Sequence, residues 1–146
     1  MRKIISIKTE KQFTDITELV QKAVTKSGIS KGIVNVFTRH TTCGIKIMED
    51  ELLSFADILT FMDNIITNNR KYNHDLVGIR EVPPDERVNG CSHVRMLFFP
   101  SNITIPVDDF GLMLGEWQHI FLVEMDWDMP FRDRTIVVTV IPIMDA

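Results

Sequence analysis

Apolar and polar positions alternate singly at the start of the chain, Ile5 and Ile7 against Ser6 and Lys8, and that period of two predicts a half-buried strand over Arg2–Lys8. The period then lengthens. Ile16, Leu19, Val20, Ala23 and Val24 recur at three and four, the spacing of one helix face, with Asp15 as cap, Glu18 reaching back to it, and Ser27-Gly28 as the stop. Ile33, Val34, Val36 and Phe37 make Gly32–Thr38 a β-prone run, and Ile45 with Ile47 predicts a shorter strand paired to it. The segment Arg39–Gly44 then falls at a strand end or at an irregularity within that pair. Leu52, Phe55, Ile58, Leu59, Met62, Ile65 and Ile66 mark the longest helix, from Leu52 to Asn69.

Periodicity then fades across a long stretch punctuated by Asn73, Gly78, Pro83, Asn89 and Gly90, and a loop of that length in a compact domain is usually functional or disordered. Ser92 is placed to cap a short helix through Phe98, which Pro100 ends. Strands follow at Asn102–Val107, Leu112–Leu114, Gln118–Met125 and Thr135–Ile141, with Asp109-Phe110-Gly111 as a turn. Helices set among mostly sequential strands predict an α+β fold, a single compact domain over residues 1–146 built on an antiparallel β-sheet or sandwich.

At 146 residues and 45% hydrophobic content the chain can bury a real core. A net charge of −4 and a pI near 5.5 argue against nucleic acid or an anionic membrane as partner, because both call for a basic face. Arg70-Lys71 and Arg132-Asp133-Arg134 read as solvated surface. No apolar run has membrane-spanning length and the first residues do not resemble a signal peptide, so a soluble, cytoplasmic protein is expected. Cys43 and Cys91 are too few for a disulfide scaffold, and reduced thiols are the expectation.

Three of the four histidines lie among hydroxyls, amides, acids or thiols, in Arg39-His40-Thr41-Thr42-Cys43-Gly44, Tyr72-Asn73-His74-Asp75 and Cys91-Ser92-His93. That pattern suggests one site assembled from three segments. Neutral imidazoles at His40, His74 and His93 would leave the fourth position of zinc or a similar divalent metal open to water or substrate. Alternatively each histidine hydrogen-bonds locally within its turn. No Gly-rich nucleotide loop, His-Glu-x-x-His or Gly-x-Ser-x-Gly motif is present.

Taken in order, His40-Thr41-Thr42, Glu49-x-Glu51, Tyr72-x-His74-Asp75, Ser92-His93, Thr104-Ile105-Pro106-Val107 and Gly115-x-Trp117-Gln118 resemble the YjbQ family, also called uncharacterised protein family 0047. The resemblance spans nearly the whole chain and implies an α+β fold, a compact homotrimer and a weak thiamine-phosphate-synthase activity. That reaction joins a pyrimidine diphosphate to a thiazole phosphate with loss of pyrophosphate. The chain departs from the usual pattern at Met48, Leu52-Leu53, Glu116 and His119, which bears on substrate choice more than on the existence of a site.

Within that pattern His40, His74 and His93 are expected to share a site, with Glu49 as its acid, while Asp50 suits a helix N-terminus. Thr41, Thr42, Ser92 with the amides around it, Arg95 and Gln118 are candidates for holding a phosphate or similar anion. Trp117 is expected to pack or to meet a neighbouring subunit, and His119 stays outside the site. Three functions follow as expectations: a thiamine-phosphate-synthase-like transferase acting on phosphorylated substrates, a non-catalytic metal- or metabolite-binding trimer, and a metal-assisted hydrolase.

Overall fold

A computed structural model of the chain describes residues 1–76, 78–79, 81–83, 85–126 and 132–143. Among the described residues, eight strands and three α-helices follow one another as β1 (Arg2–Thr9), β2 (Phe13–Asp15), α1 (Thr17–Ser27), β3 (Gly32–Thr38), β4 (Cys43–Met48), α2 (Leu52–Ile65), α3 (Gly90–Arg95), β5 (Asn102–Asp108), β6 (Gly111–Leu112), β7 (His119–Glu124) and β8 (Arg132–Pro142). Single 3-10 turns occupy Asn73–Asp75 and Met96–Phe98. The strands form two antiparallel sheets, one in the order β1-β8-β3-β5-β6 and one in the order β2-β7-β4. This is the expected α+β architecture.

β7 explains the layering. Ile120 and Leu122 face the larger sheet and join Val34, Val36, Ile105, Ile136 and Val138 in a core that α1 also enters through Val20, Ala23 and Val24. The intervening Phe121 and Val123 point the other way, where Phe55 and Met62 of α2 and Cys91 of α3 cover them. A strand buried on both faces has to be apolar throughout, which is why Ile120–Val123 shows no alternation.

Several expectations need correction. β4 does not pair with β3; it pairs with β7 in the smaller sheet, so the chain changes sheets across Arg39–Thr42. The helix cap expected from Asp15 and Glu18 does not form, because Asp15 belongs to β2 and is engaged there. Its Oδ1 accepts from the Thr17 amide (2.8 Å) and hydroxyl (2.6 Å), and Glu18 turns to Lys22 instead (3.9 Å). Glu51 caps α2, accepting from the Leu53 and Ser54 amides. Asn89, not Ser92, occupies the N-cap position of α3. Of the two expectations for Trp117, packing within the chain is not met, since it is 67% exposed. Asp109 and Phe110 both adopt positive φ, 45° and 61°, forming the two-residue turn between β5 and β6. Among the described residues no helix is long and apolar enough to cross a membrane.

Candidate functional site

The change of sheet at Arg39–Thr42 carries His40, Thr41 and Thr42 to one end of the sandwich, where β7 finishes and β8 begins. A cavity of about 520 Å³ opens there, and it also takes in His74 from the 3-10 turn and His93 from α3. Five of the expected site residues are therefore brought together. The remainder of the wall comes from Pro83, Asp85, Glu86, Arg87, Asn89, Asp126, Arg132 and Arg134.

His40 is fixed across 95 residues of sequence: the Thr135 amide donates to its Nε2 at 2.9 Å. An imidazole whose Nε2 accepts a hydrogen bond carries its single proton on Nδ1 when neutral. Burial, and then the positive charges of Arg134 and Arg39, push the His40 pKa down and keep the ring neutral. His40 is thus a fixed Nδ1–H donor with no lone pair left for a metal.

His74 and His93 stack face to face, with ring centroids 4.4 Å apart and planes inclined by 28°. His74 is flanked by Asp75 (Nδ1 to Oδ1, 3.6 Å) and Glu86 (Nε2 to Oε1, 3.7 Å). Asp75 also accepts from the Gly90 amide at 2.8 Å, tying the 3-10 turn to the start of α3. The approach there is close enough that a Cβ on Gly90 would lie 2.5 Å from the Tyr72 Cβ. His93 is held below its ordinary pKa, first by burial and then by His74, against the opposing pull of Asp126, Glu86 and Asp75. It is an uncharged imidazole near neutral pH, able to accept a proton.

The charges opposite form two linked groups. Asp126, 2% exposed, accepts from Arg132 Nη2 at 2.6 Å and lies 3.3 Å from Arg87 Nη2, so one carboxylate serves two guanidinium groups. Glu124, equally buried, accepts from Arg134 Nε and, at 2.9 Å, from the Asp126 amide. The Met125 amide donates to the Thr42 carbonyl at 3.0 Å, which clamps the sheet-crossing turn to the end of β7. Among the described residues, three buried polar atoms of this wall, Arg132 Nε, Asn89 Oδ1 and Asp126 Oδ1, have no hydrogen-bond partner. Buried polar atoms in native proteins are rarely left unpaired, and these are suited to a ligand.

Four expected site residues lie elsewhere. Glu49 is exposed beyond Met48, at the opposite end of β4 from the cavity. Gln118 stands at that same far end, where β7 pairs His119 with Met48, and its side chain accepts from the Gly115 amide at 2.9 Å. Ser92 is buried and donates to the Met125 carbonyl at 2.8 Å. Arg95 is 1% exposed and spends its guanidinium on the Ile66 carbonyl (3.1 and 2.8 Å) and Asp63 (2.5 Å), closing the C-terminal end of α2. It is a structural strut, turned away from the cavity.

A metal held by His40, His74 and His93 does not fit this arrangement. His40 Nε2 is occupied, and among the described residues these three do not form a group with ligand atoms within 4.8 Å of one another. The cavity arginines were missed because Arg132-Asp133-Arg134 reads as a charge run. The signal was the alternation: Arg134 shares the inward face of β8 with Ile136, Val138 and Val140.

Comparison with known proteins places this geometry in a family. The profile described as UPF0047 protein YjbQ-like matches residues 3–143. A UPF0047 protein from Methanothermobacter thermautotrophicus is 33% identical over 129 residues, 88% of this chain and 82% of that protein. The crystal structure of a YbjQ-like protein of unknown function from Sulfolobus solfataricus superimposes with a TM-score of 0.82 at 33% identity, covering 97% of this chain and 96% of that one. A yjbq/upf0047 family protein from Clostridium acetobutylicum gives 0.78 at 35% identity, covering 94% and 98%.

Proposed function

The chain belongs to the YjbQ-like UPF0047 family, and on that premise we propose that it is an enzyme acting on a small phosphorylated substrate, with imidazoles as hydrogen-bond donors and acceptors and no metal among them. The observation that carries the proposal is the pairing, in one cavity, of an uncharged His93 with a buried Arg132 Nε–H that has no hydrogen-bond partner among the described residues. The Arg132 side chain, with Arg87 beside it on the same Asp126 carboxylate, binds a phosphoryl oxygen. His40 Nδ1–H donates to a second oxygen or to the leaving group, and the uncharged His93 hydrogen-bonds and orients the attacking ring, whose thiazole nitrogen attacks through its lone pair and has no proton to give up. The named reaction for assay is the thiamine-phosphate-synthase one, in which a departing pyrophosphate would meet this guanidinium pair.

A homotrimer is part of the same proposal. Its support is the set of apolar side chains left exposed on α2 and on the 3-10 turn Met96–Phe98, Leu52 at 79%, Leu53 at 74%, Phe61 at 53% and Leu97 at 82%. The second reading is a non-catalytic metabolite-binding trimer, favoured by the ion pairs that already engage Arg132 and Arg134.

The test is turnover and binding on the same samples. Pyrophosphate release from the pyrimidine diphosphate and thiazole phosphate pair is followed alongside inorganic pyrophosphate binding, for wild type, His93→Asn and Arg132→Ala. An enzyme loses turnover in His93→Asn while pyrophosphate binding persists, and loses both in Arg132→Ala. Binding without turnover across a wider set of phosphorylated substrates selects the binder. Wild-type pyrophosphate affinity in Arg132→Ala sinks both readings.

A further inference from the structure

The far end of the smaller sheet holds a second group of side chains that the cavity does not use. β2 ends at Asp15, β7 starts at His119, and Asp50 follows β4, so three adjacent strands each deliver one side chain to the same edge. One ligand atom from each of Asp15, Asp50 and His119 lies within 4.8 Å of the other two. We propose that Asp15, Asp50 and His119 form a divalent-cation site, separate from the histidine cavity.

His119 Nδ1–H donates to Asp15 Oδ2 at 2.9 Å; a cation would displace that proton and take the two atoms as neighbouring ligands, which lie roughly 3 Å apart on an octahedral ion. The third ligand atom, from Asp50, is what the ion pair alone does not account for. An imidazole and one carboxylate satisfy each other; a second carboxylate brought to the same point is repelled unless a further positive charge joins it. Asp15 is also oriented from behind. Its Oδ1 takes the Thr17 amide and hydroxyl, at 2.8 and 2.6 Å, which leaves Oδ2 directed at His119. The Thr17 hydroxyl in turn accepts from the Ile120 amide at 2.8 Å, locking it to β7 beside His119. Hydrogen-bonded support of a ligating carboxylate is the usual companion of a metal site. Burial opposes ionisation of Asp15, but the Thr17 bonds and His119 outweigh it and hold the pKa below the usual range.

Two carboxylates and one imidazole suit borderline first-row ions, Mn²⁺, Co²⁺ or Zn²⁺, above the all-oxygen preference of Ca²⁺. Asp50 and Asp15 are exposed, so water completes the coordination.

The experiment is a Co²⁺ titration of chelator-treated full-length protein, read by visible absorption, with far-UV circular dichroism as the check on folding. One Co²⁺ per chain is expected. Asp50→Asn and His119→Gln, both surface changes, each weaken uptake at least tenfold, and Thr17→Val weakens it about tenfold by freeing the Asp15 carboxylate. His93→Asn leaves it unchanged, which keeps this result independent of the cavity chemistry. Uptake that survives both Asp50→Asn and His119→Gln overturns the proposal, as does uptake abolished by His93→Asn or no Co²⁺ bound at millimolar concentration.

Discussion

Replacing Glu124 by alanine tests whether the buried charges are what hold the cavity's shape. Glu124 is 2% exposed and serves two partners, Arg134 Nε and the Asp126 amide. Among the described residues, its removal leaves the buried Arg134 guanidinium a long contact to the Thr42 hydroxyl, 3.5 Å. Breaking a buried pair from one side costs roughly 3–5 kcal/mol, because the remaining charge is uncompensated. For 146 residues, at about 2.1 cal/mol/K per residue, the unfolding entropy is about 0.3 kcal/mol/K, so Tm should fall by roughly 10–16 °C. Glu124→Gln keeps an acceptor for the Asp126 amide and should cost less, about 1–3 kcal/mol. Glu124→Leu with Arg134→Met removes both charges and should recover at least half of the alanine loss, since apolar replacements tolerate burial. Urea unfolding followed by circular dichroism, at matched protein concentration, gives all three values. An alanine variant within about 1 kcal/mol of wild type, or a double variant less stable than the single one, would refute the account.

Acid should destabilise the protein through His40 and His93. Both are held below the ordinary value of 6.5, so the unfolded chain takes up protons first. Their full contribution is present above pH 6.5 and is lost as pH falls through 6.5 toward the lower folded values. The drop in urea midpoint across that window should shrink in His93→Gln, and an unchanged drop would remove His93 from the explanation. The Asp15 contribution belongs to a separate window, present above 3.8 and lost below it. Gly90→Ala places a Cβ 2.5 Å from Tyr72 Cβ and 3.0 Å from both Asp75 carboxylate oxygens. It should cost about 1–3 kcal/mol and displace the His74 turn, weakening pyrophosphate binding; retained stability and affinity would contradict the packing described. Phe110→Gly relieves a positive φ of 61° at an exposed turn. It should raise stability by about 1 kcal/mol, and a destabilised variant would show that the Phe110 ring contributes more than its backbone costs.

The periodicity of the chain by itself determined where β1, β3, α1, α2 and β8 lie, because each has one covered face and covered faces repeat at two or at three and four. It also marked Arg39–Gly44 as an interruption, and His74 and His93 as its companions. Local pattern could not assign β4 to the second sheet, since a strand of Cys43–Met48 composition pairs equally well with either neighbour; the choice depends on which partner covers Phe121 and Val123. The same limit hid the cavity arginines and misplaced Arg95. Whether a guanidinium meets solvent, a carboxylate or the end of a helix depends on groups far away in sequence, Arg134 on Thr42 across 92 residues and Arg95 on Ile66 across 29. Sequence therefore determined the chemical types available, and tertiary contact decided which of them face the cavity: His40 with its proton fixed by the Thr135 amide, and Glu49 and Gln118 carried to the opposite end by the direction of β4 and β7.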